Sequence, residues 1–133
     1  MELKTGITTI NENQESIFEF LSYSKNFEAL MPDSTEKFEV VENEQFNFQL
    51  SGMPEIRLKP KTRSQFNQIT LTSASDKFDF DLLIYLEAVS DHKTDAQLVF
   101  SGEFNSMMAM MIKSPINKFI GKLLENLQKK YQD

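Results

Sequence analysis

The sequence contains no cysteine and a single histidine, His92. Without cysteine the chain cannot form disulfide bonds, thiol redox centres or thiolate metal sites. His92 lies in the acidic segment SDHKTD between two predicted strands, where a solvated loop residue is expected. We therefore expect no metal, no cofactor and no catalytic histidine. A chain of 133 residues can bury a hydrophobic core without such supports.

Long hydrophobic runs and clustered positive charge are also missing. No window approaches the roughly 18 apolar residues that span a bilayer, and the N-terminal segment has no apolar signal-peptide core. The net charge of -6 argues against nucleic-acid binding, because neutralising phosphates needs grouped Lys and Arg side chains. We therefore expect a cytoplasmic protein with no membrane span and no nucleic-acid partner.

The last quarter of the chain predicts one long amphipathic helix, from Asn105 to Tyr131. Its apolar residues form two adjacent columns, mostly at four-residue spacing, which is typical of a helix with one wide apolar face. The columns are Met107, Met111, Phe119, Leu123, Leu127 and Tyr131, and Met108, Ile112, Ile116, Ile120 and Leu124. The opposite face carries Lys113, Lys118, Lys122 and Lys129. Residues 105–133 thus have a net charge of +3, against -9 for residues 1–104.

Two residues inside this helix leave questions open. Pro115 removes one backbone hydrogen bond, to the carbonyl of Met111, and so could form a hinge in a continuous helix. Alternatively, an irregular segment ends at Ser114 and the main helix starts with Pro115 in its first turn. Gly121 indicates a close approach of the helix to the sheet or to the short helices.

The segment before this helix alternates apolar and polar residues and predicts β-strands. Residues 2–10 form a first strand with Leu3, Thr5 and Ile7 on one side, and residues 38–104 supply six more. In the longest of these, residues 77–89, Phe78 and Phe80 begin the inward phase. Pro60 predicts a bulge or an unpaired position in its strand. The connections between the last six strands are too short for parallel crossovers, so the sheet is an antiparallel meander.

Two short helices are predicted between the first two strands. Ile17, Phe18 and Leu21 follow a possible cap at Asn13, and a second helix, Ser24–Leu30, ends before Pro32. A sheet with one apolar face twists and curls, and the long helix is the element large enough to fill its concavity. The sequence therefore predicts a single α+β domain, residues 1–133, with a seven-stranded curled antiparallel sheet wrapped around the C-terminal helix.

This order of elements resembles the helix-grip fold of START-like proteins, also called the SRPBCC or birch-pollen-allergen-like superfamily, which includes polyketide cyclase/dehydrase-type members. The residues that carry the resemblance follow the opening strand and recur near the end of the chain. They are Glu15, Ile17, Phe18, Leu21, Phe27, Leu30, Met31 and Pro32, the Gly52-Met53-Pro54 turn, and the segment from Gly102 to Phe119. That last segment resembles short uncharacterised bacterial members.

The resemblance implies non-catalytic binding of a small hydrophobic ligand, lipid-like or polyketide-like, in a cavity between the sheet and the C-terminal helix. Such a cavity would have a volume on the order of several hundred Å³. The positions that match its lining are Phe38, Phe46, Phe48, Leu58, Ile69, Leu71, Phe80, Leu82, Leu98, Phe100, Met108, Met111, Ile112, Phe119 and Ile120. The competing interpretation is that the same residues, among twelve Phe in the chain, simply fill the core.

Two other functions stay open. An interaction module of the chaperone-ATPase-activator type would have a filled core and an active surface. The alternating Arg57, Lys59, Lys61 and Arg63 would then share one face and contact an anionic partner or lipid headgroup. A polyketide cyclase-like enzyme would need polar groups inside the pocket, and the predicted inward phase offers only the hydroxyls of Thr5, Thr9, Thr62 and Ser73.

Overall fold

The computed structural model describes residues 1–74 and 79–132. The predicted positions Lys77 and Phe78 lie outside these residues. The helices are α1 (Gln14–Leu21) and α2 (Ser106–Lys130), with 3-10 helices at Ser24–Leu30 and Glu42–Glu44. The strands are β1 (Glu2–Lys4), β2 (Thr8–Ile10), β3 (Thr35–Val40), β4 (Phe46–Leu50), β5 (Ile56–Ser64), β6 (Gln68–Ser73), β7 (Phe80–Ser90) and β8 (Lys93–Gly102).

Within the described residues the strands form one antiparallel sheet in the order β1-β8-β7-β6-β5-β4-β3, with β2 also paired to β8. The predicted meander and helix order are therefore confirmed, but the sheet has eight strands instead of seven. The difference arises because the predicted first strand is divided. Lys4 pairs with Val99 and Thr8 pairs with Ala96, so the chain between Lys4 and Thr8 contains one residue more than the β8 segment opposite.

This extra residue changes which side chains of the first strand face the core. Leu3 is buried as predicted, but Ile7 is 67% exposed and Ile10 is fully buried instead. Thr5 still donates its backbone N–H to the Leu98 carbonyl oxygen at 3.0 Å, but its hydroxyl oxygen, and not its carbonyl, accepts the Leu98 N–H at 3.0 Å. A single inserted residue therefore reverses the faces of the strand beyond it.

The bulge predicted at Pro60 is confirmed. Pro60 pairs with Leu71 and Thr62 pairs with Thr70, which leaves Lys61 as the additional residue in β5. Beyond the bulge Arg63 pairs with Ile69, whose side chain is buried on the inner face of the sheet. The second half of β5 therefore presents its residues in the opposite phase to the first half.

The two short helices form as predicted and cover one end of the sheet. The Asn13 side chain caps α1 by accepting a hydrogen bond from the Ser16 N–H at 2.8 Å, and Ile17, Phe18 and Leu21 are buried. In the 3-10 helix Ser24–Leu30 the backbone N–H of Ser24 donates to a Glu44 carboxylate oxygen at 2.7 Å. This bond joins the short helix to the turn between β3 and β4.

The C-terminal helix α2 is continuous from Ser106 to Lys130 and contains Pro115. The interpretation in which an irregular segment ends at Ser114 is therefore wrong. Asn105 caps the helix, because its side-chain oxygen accepts the Met108 N–H at 2.8 Å. Within the described part of the chain, neither this helix nor any other is long and apolar enough to cross a membrane.

Two glycines have opposite surroundings. A Cβ at Gly102 would lie 2.8 Å from the Asp79 carbonyl oxygen and 2.8 Å from Phe104 Cε2, so a side chain does not fit there. A Cβ at Gly121 would meet nothing within 4 Å. The predicted close approach at Gly121 is therefore wrong, because this position of α2 faces open space and not the sheet.

We predict opposite effects of alanine at these two positions. Gly102→Ala should lower the free energy of unfolding by about 1 to 3 kcal/mol, because the new methyl group must displace backbone and aromatic atoms. Gly121→Ala should raise the free energy of unfolding by up to about 1 kcal/mol, because alanine favours the helix and meets no neighbour. Urea denaturation measures both, and equal effects would contradict the assigned surroundings.

Candidate functional site

The predicted cavity positions line the interface between the sheet and α2, and most of them are buried. The buried ones are Phe46, Phe48, Leu58, Ile69, Leu71, Phe80, Leu82, Leu98, Phe100, Ile112, Phe119 and Ile120. Phe38 and Met108 are partly buried against the same core. Met111 is 65% exposed, so the structure places it outside the interface. Positions four residues apart advance by about 40° per step around a helix of 3.6 residues per turn, so a column that faces the sheet at Phe119 has turned away from it at Met111.

Aromatic rings occupy the middle of this interface. Phe119 of α2 stacks on Phe48 of β4 with ring centroids 4.8 Å apart. Phe46, the neighbouring inward residue of β4, stacks on Phe27 of the short 3-10 helix at 5.2 Å. These contacts join α2, the sheet and the short helices directly, so no ligand separates them here.

A small apolar void remains nearer the first turns of α2. Its volume is about 10 Å³, far below the several hundred Å³ expected for a preformed ligand cavity. It is lined by Met53, Ile56, Phe80, Phe100, Phe104, Ile112 and Ile116. Each of these seven lining side chains is apolar.

The two parts of α2, before and after Pro115, bury very different numbers of side chains. Between Ser106 and Ser114 one side chain, Ile112, is buried. Beyond Pro115 the helix buries Ile116, Phe119, Ile120, Leu123, Leu124 and Leu127. Met107, Met110 and Met111 are 75%, 82% and 65% exposed. The methionine-rich first part is therefore attached weakly, whereas the second part anchors the helix.

A larger concavity lies along the other side of α2. It is an open groove of about 890 Å³ between helix residues 114–129 and the segment formed by residues 32–34, Leu50 and Ser51. Lys118, Lys122 and Lys129 line its helix wall together with Gly121. The sequence pattern predicted that these lysines lie on the solvent-exposed face of the helix, opposite its apolar columns. In the sequence, the glycine at position 121 is the signal for this groove. A glycine can mark open space as well as a close contact, and here it marks open space.

No family model and no curated protein matches the chain. Solved structures do match it over nearly its whole length. The Zhui aromatase/cyclase from Streptomyces sp. R1128 has 10% identity, covers 98% of this chain and 93% of its own, and has a TM-score of 0.78. A conserved protein from Geobacillus kaustophilus has 12% identity, covers 98% and 95%, and has a TM-score of 0.72.

A third match is norcoclaurine synthase from Thalictrum flavum, in complex with dopamine and hydroxybenzaldehyde. It has 9% identity, covers 100% of this chain and 90% of its own, and has a TM-score of 0.72. The chain has the START-like helix-grip fold. The resemblance predicted from the sequence is thereby confirmed for the fold, which the conserved protein from Geobacillus kaustophilus shares with the two named enzymes.

The basic residues of β5 do not form one face of this helix-grip domain. Arg57 Nε donates to Asn47 Oδ1 at 2.5 Å, and Lys61 pairs with Asp81 at 2.9 Å, both on the outer face. Arg63 lies beyond the bulge and donates to the Ser22 carbonyl oxygen at 2.8 Å. The prediction that Arg57, Lys59, Lys61 and Arg63 project together is therefore wrong, because it ignored the change of phase at Lys61.

The ion pair between Lys61 and Asp81 also changes the pKa of Asp81. Partial burial raises the pKa of Asp81, but hydrogen bonds from Thr72 and Lys61 and the positive charge of Lys61 outweigh it and lower the pKa below its usual value. The Asp81 carboxylate therefore stays charged at neutral pH and occupies Lys61. An anionic partner at this face would have to compete with it.

Two of the four predicted inward hydroxyls, those of Thr9 and Thr62, face outward, whereas Ser73 pairs with buried Leu58 on the inner face as predicted. Thr9 donates to Asp95 Oδ1 at 2.6 Å on the exposed side of the sheet. Thr62 pairs with Thr70 on the outer face, and the Ser73 hydroxyl accepts the backbone N–H of Phe80 at 3.1 Å. The two strand irregularities at residues 5–7 and Lys61 explain why Thr9 and Thr62 face outward.

We predict that the middle of the interface carries stability and the first part of α2 does not. Phe119→Ala should lower the free energy of unfolding by about 3 to 5 kcal/mol, because it removes a buried ring stacked on Phe48. Met111→Ala is the matched control on the same helix column and should change it by less than about 0.5 kcal/mol. Chemical denaturation distinguishes the two, and a large loss for Met111→Ala would contradict the exposed placement.

Proposed function

We propose that the protein binds a small apolar ligand, lipid-like or polyketide-like, beneath the first part of α2. The observation that carries this proposal is the uneven burial of the helix on the two sides of Pro115. The ligand cavity forms when residues 106–114 move away from the sheet, and it expands the apolar void beside Ile112. The role is binding and not catalysis.

The first step is the low cost of moving this part of the helix. Burial of one aliphatic side chain such as Ile112 contributes about 1.5 to 3 kcal/mol, and the six buried side chains after Pro115 contribute several times as much. Pro115 has no N–H, so the Met111 carbonyl lacks its usual partner four residues later. Both features favour bending at Pro115 while the second part stays in place.

The second step concerns the side chains that would line the cavity when residues 106–114 move away from the sheet. Met53, Phe80, Phe104 and Ile112 line the void and offer only apolar surface. Methionine side chains adapt to irregular shapes, and the same part of α2 carries the exposed Met107, Met110 and Met111. Such a lining favours an uncharged ligand held by burial of its surface.

The comparisons support a small-molecule role in general terms. The norcoclaurine synthase structure contains two small aromatic molecules, dopamine and hydroxybenzaldehyde. The alternative role as an interaction module predicts a filled core, which the stacked rings at Phe48 and Phe119 match, and a basic face such as Arg57 to Arg63, which the bulge in β5 divides. We therefore favour ligand binding.

We predict that Pro115→Ala weakens ligand binding. Restoring the backbone hydrogen bond to the Met111 carbonyl is worth about 1 kcal/mol and stiffens residues 106–114. Affinity for the neutral fluorescent probe N-phenyl-1-naphthylamine should fall about fivefold. Ser114→Ala is the matched control, because it changes the exposed neighbour of Pro115 without restoring the bond.

Hydrogen exchange of the unmodified protein tests the mechanism separately. The amides of residues 107–114 should exchange faster than those of residues 116–127, and probe binding should alter the exchange of the first group. Equal protection of the two groups, or unchanged probe affinity in Pro115→Ala, would contradict the proposal. Native mass spectrometry of protein purified from its own cell extract should show a co-purifying apolar molecule.

A further inference from the structure

The groove along α2 is separate from the void beneath it. The groove lies between helix residues 114–129 and residues 32–34, and none of the residues that the structure describes lines both spaces. Its volume of about 890 Å³ lies within the range of about 300 to 1,000 Å³ typical of small-molecule sites. The groove is already present in the closed structure, so a ligand could enter it without any movement of the helix.

The base of the groove is apolar. Pro32 and Pro115 are half-buried on its two sides, and the buried side chains of Leu50 and Phe119 contribute to its lining. Gly121 faces the same space, and a Cβ built there meets nothing within 4 Å. An apolar body of modest size can therefore lie along the helix at this point.

Two charges of the groove, on Lys118 and Asp33, are in none of the ion pairs of the described residues. Three lysines line it, Lys118, Lys122 and Lys129, against the two carboxylates of Asp33 and Glu125. Glu125 binds Lys122 at 3.2 Å and Lys129 at 3.0 Å. Hydrogen bonds from Lys129 and Lys122 lower the pKa of Glu125, so its carboxylate stays charged. Among residues 1–74 and 79–132 no ion pair involves Lys118.

We propose that this groove is a second binding site, for a small free amphiphilic monoanion. The apolar body of the ligand lies on Leu50, Phe119 and the two prolines, and its carboxylate or phosphate group pairs with Lys118. The excess of one positive charge in the lining favours a single negative charge on the ligand. This site depends on charge as well as on burial, whereas the void beneath α2 offers apolar surface alone.

The test compares octanoate with octan-1-ol, which has the same chain and no charge. Nuclear magnetic resonance titration of the full chain should show shifts at the amides of Lys118, Gly121 and their neighbours. Octanoate should bind about fivefold more tightly than octan-1-ol, as expected for one partly solvated ion pair. Raising the salt concentration should reduce this difference.

Two variants locate the site. Lys118→Gln should bring octanoate affinity down to that of octan-1-ol and leave octan-1-ol unchanged, and Lys113→Gln, an exposed lysine of α2 outside the groove, should have no effect. Gly121→Leu should abolish binding of both molecules by filling the groove. It should leave N-phenyl-1-naphthylamine binding unchanged, so failure of this site is distinguishable from failure of the proposed function.

Several results would overturn the proposal. They are the absence of octanoate shifts in the groove, equal affinities for octanoate and octan-1-ol, and octanoate binding that survives Gly121→Leu. Sedimentation with phosphatidylglycerol vesicles tests whether the anion belongs to a membrane lipid instead. We expect no co-sedimentation, and co-sedimentation that is lost in Lys118→Gln would replace the free ligand with a lipid surface.

Discussion

The packing of α2 against the inner face of the sheet is the contact on which the rest of the structure depends. Phe119 stacks on Phe48, and five further apolar side chains of the helix between Ile116 and Leu127 are buried. The sheet has one apolar face and curls around this stripe, because exposing either surface would forfeit most of the hydrophobic stabilisation. The short helices close the structure through Phe27, which stacks on Phe46.

Because rings fill the middle of the grip, the two spaces beside α2 lie at its margins. One margin lies under the weakly held first part of α2, beside the void of about 10 Å³. The other is the open groove on the flank of the same helix, where Gly121 removes a side chain. The first has an apolar lining and the second has a charged lining, so the two would select different ligands.

Two one-residue irregularities explain where prediction from the sequence failed. Side chains alternate faces along a strand, so one inserted residue reverses every position beyond it. At residues 5–7 the reversal exposes Ile7 and buries Ile10, and at Lys61 it sends Arg63 to the inner face. Pro60 signalled the second bulge correctly. The pairing register with β6 decides which side chains of β5 change faces at the bulge. The alternation of residues along β5 does not reveal that register.

By itself the sequence determined the order of the elements, the antiparallel sheet, the long helix and most of the buried residues. Short connections, period-two alternation and four-residue columns are local properties, and they specify such features directly. Only the tertiary structure decided that α2 continues through Pro115, that Met111 is exposed, that rings fill the interior and that a groove opens at Gly121. These features depend on how side chains from distant segments fit together, and no local pattern records that fit.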